Sequence, residues 1–407
     1  MNRRPIVPSG RGFRNEERAR RGSARDGRAG IRLAYVCADP GIPPDGDKGA
    51  SVHFREMARA LRARGAELDV FVARAPRRPA GELTVVEPRP GKGIARELAL
   101  LENSAALARA VGERGGHDAV YERLSLFSLA GATHARAHGL PFLLEVNAPL
   151  WQEAARYRSL AMPRVARAAA MEAMAAATVV TVVSTELADL LVSIGVDARR
   201  VRVVSNGVSR DRFEGATAAP RPAALAGRRI LVFQGSLKPW HGVEFLLEAF
   251  ARHRDRLGLG LWIVGDGPLR GVVDRAAAAD PAIRVEGPVP HDRIPGILRA
   301  ADVAVAPYGP DAPRYFSPLK VVEALAAGCP LVAGRVPCVA GLVRGAERVV
   351  TYEPGDLDDF GAALERASRL ERPPGPIHVP EWMTWESKAG EILDLLAEAS
   401  SEAGRDA

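Results

Sequence analysis

Two short stretches put charged and small residues where an anionic ligand can be held. The segment FQGSLKPWHG at 233–242 follows a β-branched run and leads into a helical pattern, so Gly235, Ser236, Lys238 and His241 fall at one strand end. Small residues there let the backbone approach a diphosphate, and Lys238 and His241 add hydrogen-bond donors and charge. The segment YFSPLKVVEALAAG at 315–328 reads as a helix with Ser317 as N-cap, Pro318 at the first helical position and Gly328 just past the end. Its free amides at Leu319 and Lys320, together with the Lys320 ammonium, would face phosphate, and Glu323, one turn on, is spaced to accept hydrogen bonds from ribose hydroxyls. An ordinary strand-end loop and an ordinary capped helix share these features. The chemistry therefore depends on whether the fold brings the two stretches together.

Other candidates sit at strand ends. The loop DPGIPPDGDKGAS at 39–51 joins a strand to a helix, with Gly49 at the helix start and His53 in its first turn. It lacks the G-x-G-x-x-G pattern of dinucleotide sites. Glu145 and Asn147 end another buried strand, and a carboxylate and an amide there suit sugar hydroxyls. Gly265 opens a short GDGP loop with Pro268 near the start of a helix. Two Asp-x-Asp triplets have the form of a diphosphate-metal site, but Asp356–Asp358 reads better as helix capping and Asp45–Asp47 as a turn, so no metal ligands are assigned.

The elements that must position these residues alternate between strand and helix. Strands read at 31–37, 68–73, 119–121, 141–146, 178–183 and 201–204, with helical patterns between. In the first helix Phe54, Met57, Ala58 and Leu61 follow the spacing of one buried face, and Gly65 ends it. After a linker-like stretch at 212–229 the pattern restarts, with strands at 230–234, 260–264, 283–286, 302–306, 330–333 and 348–352. Alternation of this kind specifies parallel sheets covered on both faces, which bind ligands at the C-terminal strand ends. The reading is α/β: two Rossmann-like, doubly wound parallel-sheet domains facing a cleft. The divisions are a tail at 1–30, a first domain at 31–207, a second domain at 208–380 and, after the breaker at 373–376, a helix within 381–407 that crosses back to the first domain. On that helix Ile392, Leu395, Leu396 and Ala399 share a face.

Composition excludes several classes. The 407 residues carry a net charge of +7, with 47% apolar content. The tail alone holds nine arginines against three acids, leaving +1 for the remainder, so the basic balance does not mark a nucleic-acid surface. The tail has little apolar content and reads as disordered; with no apolar core region it is no secretory signal. No run is long and apolar enough to span a bilayer. The three cysteines lack metal spacing and suit a reducing cytoplasm. Arg156, Arg158, Arg164 and Arg167, within 151–174, form a basic helical stretch that would be solvated or touch anionic lipid, so a peripheral position on the inner face of the plasma membrane is left open.

From 31 to 399 the chain resembles the GT-B-fold, retaining glycosyltransferases of family 4. The matching stretches are GASVHFREMARALRARGAELDVF, VRVVSNGVSRDRF, FQGSLKPWHGVEFLLEAF, LWIVGDGPLR, VPHDRIPGILRAADVAVAPY and FSPLKVVEALAAGCPLVAG, in that order. The sequence departs from the family's Glu-x7-Glu pattern: Glu323 matches the second position, but Tyr315 stands at the first. Ser236 and His241 replace the usual Arg and Lys of the donor loop, and the GS-x-KPWHG and FSPLK motifs resemble one branch. The resemblance implies transfer of a sugar from a UDP- or GDP-sugar to a hydroxyl acceptor, with retention and no required metal or other cofactor. It implies donor contacts from Gly49, Gly235, Ser236, Lys238, His241, Gly265, Tyr315, Ser317, Leu319, Lys320 and Glu323. His53, Lys238 and Lys320 would be catalytic, and Glu145 and Asn147 would face the acceptor: a sugar, a lipid-linked sugar or a natural product. A nucleotide-sugar 2-epimerase of the same fold and a non-catalytic carbohydrate-binding relative are the alternatives.

Overall fold

The computed structural model describes residues 30–78, 81–313, 315–372 and 377–403. The tail expected at 1–30, but for Gly30, and the breaker at 373–376 lie outside the described residues.

Two parallel sheets form. The first contains β1 (Arg32–Cys37), β2 (Glu67–Val72), β3 (Thr84–Val85), β4 (Ala119–Arg123), β5 (Phe142–Val146), β6 (Val179–Val182) and β7 (Val201–Val203), in the order β3-β2-β1-β4-β5-β6-β7. The second contains β8 (Arg229–Gln234), β9 (Leu259–Val264), β10 (Ile283–Gly287), β11 (Val303–Ala306), β12 (Leu331–Gly334) and β13 (Val349–Tyr352), in the order β10-β9-β8-β11-β12-β13. The expected α/β architecture is borne out. The strand β3 went unread because two exposed residues carry no alternation.

Each sheet separates two apolar layers. In β1, Leu33, Tyr35 and Cys37 join one core cluster while Ala34 and Val36 join the other, as the two-residue strand period requires. The strand order reverses between β1 and β4 in the first sheet and between β8 and β11 in the second. Such switch points open a crevice where the flanking connections leave on opposite faces.

The chain crosses between the halves twice. Val208 N–H donates to Met383 O at 2.7 Å and Trp385 N–H to Val208 O at 3.1 Å, so the two crossings run side by side. A Cβ at Gly207 would lie 2.7 Å from the Trp385 nitrogen, which explains a glycine there. The helix Trp385–Ala403 then packs on helix Gly49–Ala63. Trp385, Ile392, Leu393 and Leu396 share a core cluster with Phe54, Met57 and Leu61. Burying each large side chain contributes about 1.5–3 kcal/mol, enough to hold this appended helix on the first half.

Two helix starts differ from expectation. Pro318, not Ser317, is the N-cap of helix Leu319–Ala326, and no side chain caps it. Helix Arg270–Ala279 has Leu269 as N-cap, so Pro268 belongs to the turn before it. Asp356 does cap its helix, accepting from the amides of Asp358 and Asp359.

Candidate functional site

A cavity of about 900 Å³ lies between the two sheets, at both switch points. The first half lines it with the loop after β1, the start of helix Gly49–Ala63, and Arg123 and Asn147 beyond or at the ends of β4 and β5. The second half supplies Gln234 at the end of β8, Gly235 and Ser236 after it, Gly265 after β9, His291, Ser317 to Lys320, and Glu323. The two stretches singled out by their chemistry therefore meet. The helix starts of the two halves also abut, since a Cβ on Gly49 would lie 3.3 Å from the Leu319 side chain. Gly265 has φ +141, and a Cβ there would sit 2.0 Å from the Gly235 carbonyl oxygen, so the two loops touch through bare backbone.

Lys320 is the central cation. It is buried, its Nζ lies 4.1 Å from the Phe233 ring centroid and 5.2 Å from that of Tyr308, and no hydrogen-bond partner reaches it among the described residues. Burial lowers its pKa to about 7, although Glu323 opposes the shift. The Ser317 hydroxyl and the Gln234 carbonyl oxygen are likewise buried without a partner. Asp45 Oδ1, from the first half of the lining, is unpaired as well, and four unsatisfied polar groups in one cavity are costly unless a polar ligand pairs with them.

Glu323 sits behind this group. Gln234 Nε2 donates to one of its oxygens at 2.8 Å, and His291 Nε2 lies 2.6 Å from the other. Burial pulls the His291 pKa down, but the hydrogen bond and charge of Glu323 outweigh it and the net shift is upward, with Arg212 opposing.

Four expected contacts need correction. Lys238 is not among the cavity-lining residues; its Nζ lies 4.9 Å from the Trp240 ring, which packs tilted against Tyr157 of the first half with the centroids 4.6 Å apart. Tyr315 also lies outside the lining, and its hydroxyl donates to Glu153 at 3.2 Å, again across the halves. Glu145 is buried behind the wall, with its carboxylate engaged by His53, Arg123, Tyr121 and Asn147. His53, on the second turn of its helix, lines the cavity with both ring nitrogens occupied: Nδ1 is 2.7 Å from Asn206 Oδ1 and Nε2 is 2.8 Å from Glu145. Both neighbours are acceptors, because Asn206 spends its amide N–H on the Ser317 carbonyl at 2.8 Å. His53 is thus tied within the first half, with no free nitrogen for a substrate proton, and Asn206 carries the link to the second half.

His241 lines the cavity and donates from Nδ1 to Ser236 O at 2.6 Å. Burial, with the nearby charge of Lys320, holds its pKa well below the usual imidazole range, so the ring is neutral. Gln234, Asn206 and His291 were not assigned roles from sequence. Each lies within one of the matching stretches, Gln234 in FQGSLKPWHG, Asn206 in VRVVSNGVSRDRF and His291 in VPHDRIPG, but nothing local singled it out. Asp45 Oδ2 accepts from the amides of Arg77 and Arg78, 32 and 33 residues on, a tie between two loops rather than a turn. Among the described residues no group of three His, Cys, Asp or Glu is placed to hold a metal ion, and no helix is long and apolar enough to cross a membrane.

Comparison with known proteins agrees with this geometry. Residues 228–369 match the family model described as glycosyl transferases group 1, and residues 48–212 match glycosyltransferase family 4. A D-inositol 3-phosphate glycosyltransferase of Geodermatophilus obscurus is 30% identical over 361 residues, covering 79% of this chain and 78% of that protein. One of Acidothermus cellulolyticus is 27% identical, covering 89% of this chain and 88% of the relative. Among solved structures, Anabaena HepE in complex with UDP and glucose superposes with a TM-score of 0.63 at 17% identity, covering 92% of this chain and 99% of that one. The cleft between two switch points, the two matched halves and a relative 30% identical over more than three quarters of each chain together place this chain in glycosyltransferase family 4, as an enzyme of the GT-B fold.

Proposed function

We propose that the protein transfers a sugar from a UDP- or GDP-sugar to a hydroxyl acceptor with retention of anomeric configuration. The observation that carries this reading is the set of unpaired buried groups, Lys320 Nζ, Ser317 Oγ and Gln234 Oε1, in one cavity. Lys320, Ser317 and the amides at the start of helix Leu319–Ala326 take the diphosphate. Glu323 and Gln234 take the ribose. As the bond from the sugar to the diphosphate breaks, negative charge grows on the departing phosphate, and a preorganised ammonium there stabilises it more than it stabilises the bound donor. The acceptor enters from the first half, beside Gly49 and Asn147, and the enclosing wall limits hydrolysis.

The relatives' names give D-inositol 3-phosphate as an acceptor, and HepE was solved with UDP and glucose. Both support a nucleotide donor and a polyol acceptor. The protein works in the cytoplasm, where such donors are found, and the exposed arginines near 156–167 allow contact with an anionic membrane face. No metal is required, because Lys320 supplies the charge that a cation otherwise brings.

The test is a thermal-shift panel of UDP-, GDP-, dTDP- and ADP-sugars, followed by product analysis with the stabilising donor. A ligand at 100 times its Kd adds about 2.7 kcal/mol to native stability. Stabilisation by one donor class, with sugar appearing on an acceptor, is expected. Stabilisation by none would remove the reading. Conversion of the donor itself to an epimer without acceptor would replace it with the epimerase alternative.

A further inference from the structure

The carboxylate that faces the ribose in this reading is held by a chain of side chains that begins in the other half of the molecule. Glu56, on helix Gly49–Ala63, is 1% exposed. Arg212, on the short helix Arg210–Glu214 after the first crossing, pairs with it, Nη2 to Oε1 at 2.9 Å. Nη1 of the same guanidinium lies 3.4 Å from Nδ1 of His291. His291 Nε2 lies 2.6 Å from Glu323 Oε1. The residues Glu56, Arg212, His291 and Glu323 thus span the two domains and end in the cavity wall.

The chemistry of this chain runs one way. Arginine has donors only, so His291 Nδ1 must accept, and its hydrogen then resides on Nε2. From there it donates to the carboxylate. A second proton on Nδ1 would confront the guanidinium. Glu323 is thereby oriented by two fixed donors, the Nε2–H of His291 and the amide of Gln234, leaving its remaining lone pairs for a ligand.

We propose that His291 is a donor-positioning residue: Arg212, anchored on Glu56 of the first half, fixes the ring so that its Nε2–H aims Glu323 at the ribose. This rests on the ribose assignment of Glu323. It adds that ribose affinity depends on the relative placement of the two halves. The pair Arg212–Glu56 forms only while helix Gly49–Ala63 and helix Arg210–Glu214 are adjacent, so the site that binds nucleoside is completed from the acceptor-side domain.

The experiment is calorimetric titration of the nucleoside diphosphate, UDP or GDP as the panel indicates, and of inorganic pyrophosphate. It uses the parent and the variants His291→Ala, His291→Gln, Arg212→Met, Glu323→Gln and the double variant His291→Ala/Glu323→Gln. Pyrophosphate lacks ribose and reads the Lys320 side of the site alone. His291→Ala and Arg212→Met should each weaken the nucleoside diphosphate roughly tenfold, the effect of one lost hydrogen bond to a charged group, while pyrophosphate affinity stays at the parent value. In turnover the donor KM should rise more than kcat falls. His291→Gln, whose amide can still donate, should recover part of the affinity, and the double variant should be no weaker than Glu323→Gln. Parent-like nucleotide binding by both His291→Ala and Arg212→Met would overturn the proposal, as would equal losses for pyrophosphate or additive losses in the double variant. If Glu323→Gln itself binds like the parent, the ribose assignment is what fails.

Discussion

His53 and Glu145, 92 residues apart in sequence, meet at 2.8 Å inside the wall of the cleft. The pair is buried, and each partner is tied further: His53 to Asn206 at the domain crossing, Glu145 to Arg123 at 2.7 Å. Burial alone would raise the Glu145 pKa. The charge and hydrogen bond of His53, then Arg123 and Tyr121, outweigh it and hold the carboxyl far below its ordinary 4.5.

The sign of the resulting linkage is that of a depressed acid. Glu145 contributes stability above its unfolded value, and that contribution is lost as pH falls below about 4.5 toward the folded value. Glu145→Gln should cost about 3–5 kcal/mol at pH 7, because it strands buried positive partners. Its stability should also fall less steeply than the parent's between about pH 5 and 2. Urea denaturation across that range checks both. A fully stable variant would show that the network is incidental.

Lys320 gives the same sign in a higher pH window. Its folded pKa, about 7, lies below its ordinary 10.5, so between those values the unfolded chain holds the extra proton and this group's contribution to stability rises with pH. In the ligand-free protein at pH 7 and below the buried ammonium is a cost. Lys320→Met should therefore stabilise the free protein, by about 1–3 kcal/mol, while weakening diphosphate binding. Diphosphate binding by the parent should take up a proton above pH 7, and affinity should fall as pH rises through that point. Calorimetry at pH 7.5 in two buffers of different ionisation enthalpy measures the uptake; a heat independent of buffer would contradict it.

Much of this was legible in sequence. Twelve of the strands announce themselves as short apolar or β-branched runs, and their ends fall within two residues of the expected places. The pairing of FQGSLKPWHG with FSPLK also followed, because both sit at strand ends that a doubly wound fold must bring together. Side-chain direction did not follow. Lys238 is close in sequence to the cavity-lining Ser236, yet turns onto Trp240, a ring three-dimensional packing places beside Tyr157. Glu145 lies at a strand end facing the right way, but its neighbours on β4, Tyr121 and Arg123, consume it. His291 has a partner 32 residues away that no local spacing indicates.

The appended helix should contribute to stability more than its terminal position suggests. Leu396 is fully buried against the first half. Leu396→Ala should destabilise by about 2–5 kcal/mol without altering nucleotide affinity in the folded protein. A shift in the urea midpoint at unchanged slope is the expected readout, and a change under about 0.5 kcal/mol, the scale of a surface substitution, would place the helix outside the cooperative fold.

Turnover should survive chelation. Asp45 spends Oδ2 on the amides of Arg77 and Arg78, Asp356 is committed to its helix start, and no group of three His, Cys, Asp or Glu is placed to hold a metal ion among the described residues. Assay of sugar transfer before and after EDTA treatment decides this; abolition by EDTA with recovery on adding Mg²⁺ or Mn²⁺ would show that a metal is needed.

The central claim is that the donor's diphosphate rests on Lys320, in the second half of the chain. Calorimetric titration of UDP and GDP into the parent, Lys320→Ala and Lys238→Ala tests it directly. The account predicts that the parent binds one of the two, that Lys320→Ala binds it about 10–150-fold more weakly, the range for a lost hydrogen bond to a charged group, and that Lys238→Ala loses far less. Parent-like binding by Lys320→Ala, with the loss falling on Lys238→Ala instead, would contradict it.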